Sequence, residues 1–213
     1  MDYRPLLRAA LHNLDQWVTG GVAPPPSRHP RLSKRTAVTR DRVLQWFDSL
    51  PGFEIPDANR LPFVRTVDMG AEESVGVANY PAEEGAFYPA LVSAIDDDGN
   101  ELAGIRLPDI EVPIGTHAGW NPRDPSIGSA DQIVPMSGLT LPFCVTAAER
   151  AACNDPRPAL MERYAGVDDY AAKVRAVAMQ LADAGYLLDS DVDLVCAAAL
   201  ARYEYVLSSS TQA

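Results

Sequence analysis

Between Arg60 and Pro142, prolines and glycines recur every few residues, and the apolar runs between them are short. Proline removes a backbone donor and glycine weakens a regular element, so this stretch suits hairpins and loops. The ends of the chain have a different character, with apolar residues at helical spacing. The pattern specifies an α+β chain: a leading helix, a Pro/Gly-rich middle with short antiparallel strands and a hairpin, and a C-terminal helical region. The expected segments are 1–21 for the leading helix, 22–59 for a Pro-rich strap and short helix, and 60–142 for the hairpin and loop region. Residues 143–207 follow as C-terminal helices, with 208–213 as a disordered tail.

Tyr3 to Val18 reads as the leading helix. Leu7, Leu11, Leu14 and Val18 recur on one face, with Trp17 beside them. Gly20 or Gly21 provides a left-handed stop. Pro24-Pro25-Pro26 then imposes an extended strap. Asp41 to Leu50 reads as a short helix halted by Pro51-Gly52. Tyr88 to Ile95 and Glu101 to Leu107 flank an Asp-Gly turn, a hairpin signal. Glu111 to Thr116 reads as a third short strand. Thr146 and Glu149 fit a capping box. Pro158 and Gly166 bound a further helix. Asp168 to Ala184 and Asp189 to Leu207 are two amphipathic helices joined by a short link, and such helices pack antiparallel.

The chain has 213 residues, enough to bury roughly 70% of its unfolded surface. Its net charge of −11 repels nucleic acid and anionic lipid, so neither is an expected partner. Its three cysteines show no C-x-x-C spacing, against a disulfide framework and against a zinc site. No signal-peptide pattern opens the sequence, and no apolar run approaches the ~20 residues that span a bilayer. The expected location is cytoplasmic, although a longer parent could be exported.

Several stretches, in order, resemble a little-characterised family of alpha/beta hydrolase domain proteins. They are Pro5 to Leu11, the Trp17 to Arg28 run, Asp98 to Pro108, and Val112 to Thr116 leading to Gly119-Trp120-Asn121. Leu141-Pro142-Phe143 before Glu149-Arg150, and Asp155 to Pro158 before Glu162-Arg163-Tyr164, complete the set. The resemblance implies the C-terminal portion of an esterase-like hydrolase. The family's nucleophile elbow and catalytic histidine are expected upstream of these stretches, so neither carries over onto a residue here. The family usually has an aromatic residue where this chain has His117.

The residues agree with that implication. A nucleophile elbow needs Gly-x-Ser-x-Gly, and the chain has none. The nearest string is Gly115-Thr116-His117-Ala118-Gly119. No catalytic residue is therefore assigned. His117, near Asp124, is a weak candidate base, and Trp120 and Asn121 are candidate pocket walls. Asp96 to Glu101 has alternating oxygens but departs from the calcium-loop string, so it reads as a hairpin tip. His12 reads as a solvent-facing or interface residue of the leading helix. Ser27 to Arg31 is a small basic knot in an acidic chain, read as a solvated loop ahead of a contact for a carboxylate-rich surface. No glycine-rich phosphate loop precedes a helix. No cofactor and no metal are expected.

The expected function is the C-terminal portion of a hydrolase, without catalysis of its own. One alternative is a binding subunit that completes a separate catalytic chain. The other is a small stand-alone hydrolase that uses His117. In the parent architecture the leading helix would cover a parallel sheet, so self-association or a catalytic partner chain is expected through its apolar face.

Overall fold

A computed structural model describes residues 1–129 and 131–210. Helix α1 spans Arg4–Gly20, with a proline in its first turn. Gly21 closes it at φ +68°, and its N–H reaches the Trp17 carbonyl at 3.0 Å. Strand β1 (Ala37–Thr39) leads into α2 (Arg40–Asp48). Strands β2 (Arg65–Asp68), β3 (Glu83–Phe87) and β4 (Leu91–Ser93) follow. Then come α3 (Pro108–Glu111), β5 (Gly115–Ala118), β6 (Leu139–Pro142) and α4 (Ala147–Cys153). The chain continues with α5 (Leu160–Arg163), α6 (Val167–Asp183) and α7 (Val192–Ser210). The architecture is α+β.

Among the described residues every strand pairing is antiparallel, in three separate two-stranded ribbons: β1 with β4, β2 with β3, and β5 with β6. The strands joined across the long β2–β3 loop form a hairpin, but not the one expected at Tyr88 to Leu107. There β4 takes β1 as its partner, pairing Val38 with Val92, and the return arm shrinks to a single bridge between Ile95 and Glu101. The turn survives because the Asp96 carboxylate accepts the N–H groups of Asp98 (3.0 Å) and Asn100 (2.9 Å), with Gly99 at φ +79°. The chain then bends at Gly104 and enters α3 at Pro108, so the strand expected from Glu111 begins at Gly115 instead.

The two long C-terminal helices form the main core. Tyr170 and Val174, early in α6, share a cluster with Ala199 and Tyr203, late in α7. Ala178 and Leu181, late in α6, meet Val192 and Val195, early in α7. That reciprocal pattern is antiparallel packing. Burying each of these valines and Leu181 is worth about 1.5–3 kcal/mol. Three tyrosines fill the centre. The Tyr170 and Tyr203 rings stack at 4.3 Å, and Tyr164 meets Tyr170 edge-on at 5.1 Å. A smaller cluster lies under α2, where Val43, Phe47 and Leu50 meet Ala118 of β5.

Local signals set the remaining boundaries. Thr146 and Glu149 form the capping box of α4. The helix after Pro158 is only α5, and Gly166 precedes α6 rather than closing its predecessor, because the Tyr164 N–H already caps α5 on the Leu160 carbonyl. Ser208 to Ser210 continue α7, while Thr211 to Ala213 lie outside the described residues. Among the described residues no helix is long and apolar enough to cross a membrane.

Candidate functional site

His117 sits in β5 opposite Thr140 of β6. Its Nδ1 lies 2.8 Å from the Thr140 hydroxyl. Its Nε2 is buried and, among the described residues, has no hydrogen-bond partner. Burial pushes the imidazole pKa down, while the Asp109 carboxylate works the other way. The ring is therefore neutral at neutral pH. The Thr140 contact has the distance of a nucleophile–base pair. Among the described residues no group hydrogen-bonds Nε2 to orient the base, although the Asp109 charge acts on the ring.

His117 and Trp120 line a cavity of about 290 Å3 with Val43, Phe47, Val92 and Ile133. The Trp120 ring meets Phe47 edge-on at 4.7 Å and Phe53 at 5.8 Å, and its Nε1 donates to the Glu54 carbonyl at 3.3 Å. Asn121 is not part of that lining; its carbonyl accepts the Val134 N–H at 2.8 Å. The carboxylate of Asp124 is turned to its own loop, where it accepts the Ser126 N–H at 2.8 Å. His117 and Trp120 are thus brought together, and Asn121 and Asp124 are not.

The leading helix offers a second kind of site. One face is docked on the link between α6 and α7. Ala9 is buried, Arg8 pairs with Asp191 at 2.8 Å, and Asn13 Nδ2 donates to the Gly185 carbonyl at 2.8 Å. The opposite face is bare: Leu7 is 58% exposed, Leu11 68%, Leu14 50%, Trp17 55% and Val18 76%. Soluble monomers rarely present so continuous an apolar stripe. His12 lies on this helix and is exposed.

The family model described as "Alpha/beta hydrolase domain" matches residues 1–197. The chain belongs to the alpha/beta hydrolase domain family. No curated protein matches it, and no solved structure does.

In this member of the alpha/beta hydrolase domain family, the string closest to an elbow has another use. Gly115 to Ala118 is strand, not a strand-to-helix turn. A side chain at Gly115 would meet the Leu141 carbonyl oxygen at 2.6 Å, so the glycine serves the close approach of β5 and β6. Thr116 is almost fully buried. Its hydroxyl donates to the Asp98 carbonyl and accepts from Arg157 Nη1 at 2.8 Å. A hydroxyl committed twice over inside the protein is no nucleophile.

The acidic turn is equally occupied. Asp96 pairs with Arg106 at 2.9 Å, and Asp98 is gripped by both terminal nitrogens of Arg163, one at 2.7 Å. Among the described residues no group of three His, Cys, Asp or Glu is placed to hold a metal ion. The three cysteines are free, and burial pushes the Cys144 and Cys196 thiols up, away from the reactive thiolate form. Thr140, Asn100 and Arg157 were invisible as site residues from sequence, because each earns its contact through a partner at least 15 residues away.

Proposed function

We propose that this chain is the C-terminal, accessory part of an esterase-type alpha/beta-hydrolase-like protein, and that it does not turn over esters by itself. The observation that carries this reading is the bare apolar face of α1. A helix whose opposite face is already satisfied has no internal use for Leu7, Leu11, Leu14, Trp17 and Val18. A sheet-bearing catalytic part, on the same or a separate chain, would bury that face. The missing Gly-x-Ser-x-Gly and the unoriented imidazole of His117 support the same division of labour.

The experiment has two arms. Purified chain is assayed on short acyl esters, and background turnover is expected. Turnover that disappears in His117→Ala, with the fold intact, would establish a stand-alone hydrolase instead. The chain is then sedimented over a concentration series beside Leu11→Asp and Leu14→Asp. Self-association that the substitutions abolish is expected. A chain that stays monomeric and does not bind an elbow-bearing hydrolase part would overturn the docking role.

A further inference from the structure

The chain has 18 lysines and arginines, and most are neutralised by carboxylates. Among the described residues those without an ion-pair partner are Arg28, Arg31, Lys34, Arg35, Arg42 and Arg123. The first four fall within one short stretch of a chain whose net charge is −11. Uncompensated positive charge in an acidic protein is thus gathered at one place.

That place is a cavity of about 460 Å3. Arg28, Arg31 and Lys34 line it. Arg106 lines it too, but its guanidinium is taken by Asp96 at 2.9 Å and Glu111 at 2.5 Å. Glu111 is the one carboxylate among the lining residues, and that ion pair occupies it. Ser27, Thr36 and Gln180 add uncharged polar groups, and Val177 and Leu181 of α6 give an apolar floor. The size is that of a small-molecule site, and the lining is mostly polar over that apolar floor.

The basic wall is also tied down. The Tyr186 hydroxyl donates to the Pro26 carbonyl at 2.6 Å, and the Arg28 guanidinium lies 4.3 Å from the centre of the Tyr186 ring. The Arg31 carbonyl accepts the N–H groups of Lys34, Thr36 and Ala37, and the Thr36 hydroxyl accepts the Arg31 N–H at 2.9 Å. A merely solvated loop has no need of such anchoring. An anion site gains from it, because a fixed backbone and the stacked Arg28 guanidinium leave less freedom to lose when the ligand arrives.

We propose that this cavity binds a small organic anion with a carboxylate or phosphate head. Arg28, Arg31 and Lys34 supply the charge. Val177 and Leu181 receive the carbon skeleton. Guanidinium groups can pair bidentately with the oxygens of either kind of head.

Calorimetry of the full chain tests this with inorganic phosphate, hexanoate and the neutral amide hexanamide. Saturable binding of phosphate or hexanoate is expected, weakening as salt is added. Whichever anion binds more tightly identifies the head group. Arg31→Gln with Lys34→Gln should weaken binding at least about tenfold, since each removes a charged hydrogen-bond partner. Lys34→Gln alone should weaken it less, and Arg42→Gln, outside the cavity, should leave it unchanged. Thermal melting shows that each variant is folded. If neither anion saturates, if hexanamide binds as well as hexanoate, or if the double variant binds like the parent chain, the site does not exist. None of these results depends on α1 or on ester turnover.

Discussion

The side-chain oxygen of Asn100 accepts the backbone N–H of His117 at 2.9 Å. The amide nitrogen of the same residue donates to the Gly115 carbonyl at 3.1 Å, and Asn100 is wholly buried. One side chain thus binds the Asp-Gly turn to β5 and satisfies two strand groups that have no other partner in the ribbon.

Replacing Asn100 with Ala leaves both strand groups unpaired in the interior. The expected cost is about 2–6 kcal/mol, from about 1–3 kcal/mol for each orphaned group. Urea denaturation measures it. A loss below about 1 kcal/mol would mean that water or a shifted turn replaces the amide.

A buried tryptophan costs about 3–5 kcal/mol when truncated to alanine. The Trp17 ring, however, is 55% exposed. Trp17→Ala should therefore cost less than about 1 kcal/mol in this chain. Ala9→Leu, on the docked face, should cost about 1–3 kcal/mol by overpacking. Denaturation of the two variants side by side decides which face of α1 is held.

His117 has its pKa lowered by burial, so the unfolded chain binds a proton more readily than the folded one. Its contribution is complete above the unfolded value of about 6.5 and is lost as pH falls through the folded value. Between pH of about 7 and 5, the parent chain should lose more stability than His117→Phe. Equal slopes for the two in urea titrations at several pH values would show that the ring protonates freely.

Burial pushes the phenols of Tyr164 and Tyr170 well above their ordinary range. The folded chain then keeps protons that the unfolded chain releases above pH of about 10. Stability is complete below that pH and falls as pH rises. Tyr170→Phe should flatten this alkaline loss, read by circular dichroism during a base titration. Loss of equal steepness in the variant would place the titrating group elsewhere.

The helical parts were legible because their determinants are local. The Gly21 stop, the Thr146–Glu149 capping box and the buried faces of α6 and α7 all sit within a few residues of what they control. The hairpin at Tyr88 to Leu107 was misplaced because β4 pairs with β1, more than 50 residues earlier, and no local pattern reports such a choice. The α1 stripe marks an apolar face truly, but periodicity does not say whether a partner for it lies within the chain. At the candidate site, His117 and Trp120 stood out by chemical type. Asn100 looked like a turn residue, because its value lies in contacts to Gly115 and His117.

Helix α1 has 17 residues, roughly 25 Å of length, close to the limit at which a free helix is marginal in water. It is held in shape by Arg8 on Asp191, Asn13 on the Gly185 carbonyl and the buried Ala9. Whatever meets its apolar side therefore meets a surface already formed. The entropy of ordering some 17 residues is met by the chain's own fold and is not charged to the encounter. Association through α1 should accordingly be fast and nearly rigid-body, with little gain in helical signal on binding, unlike the coupled folding of a free segment.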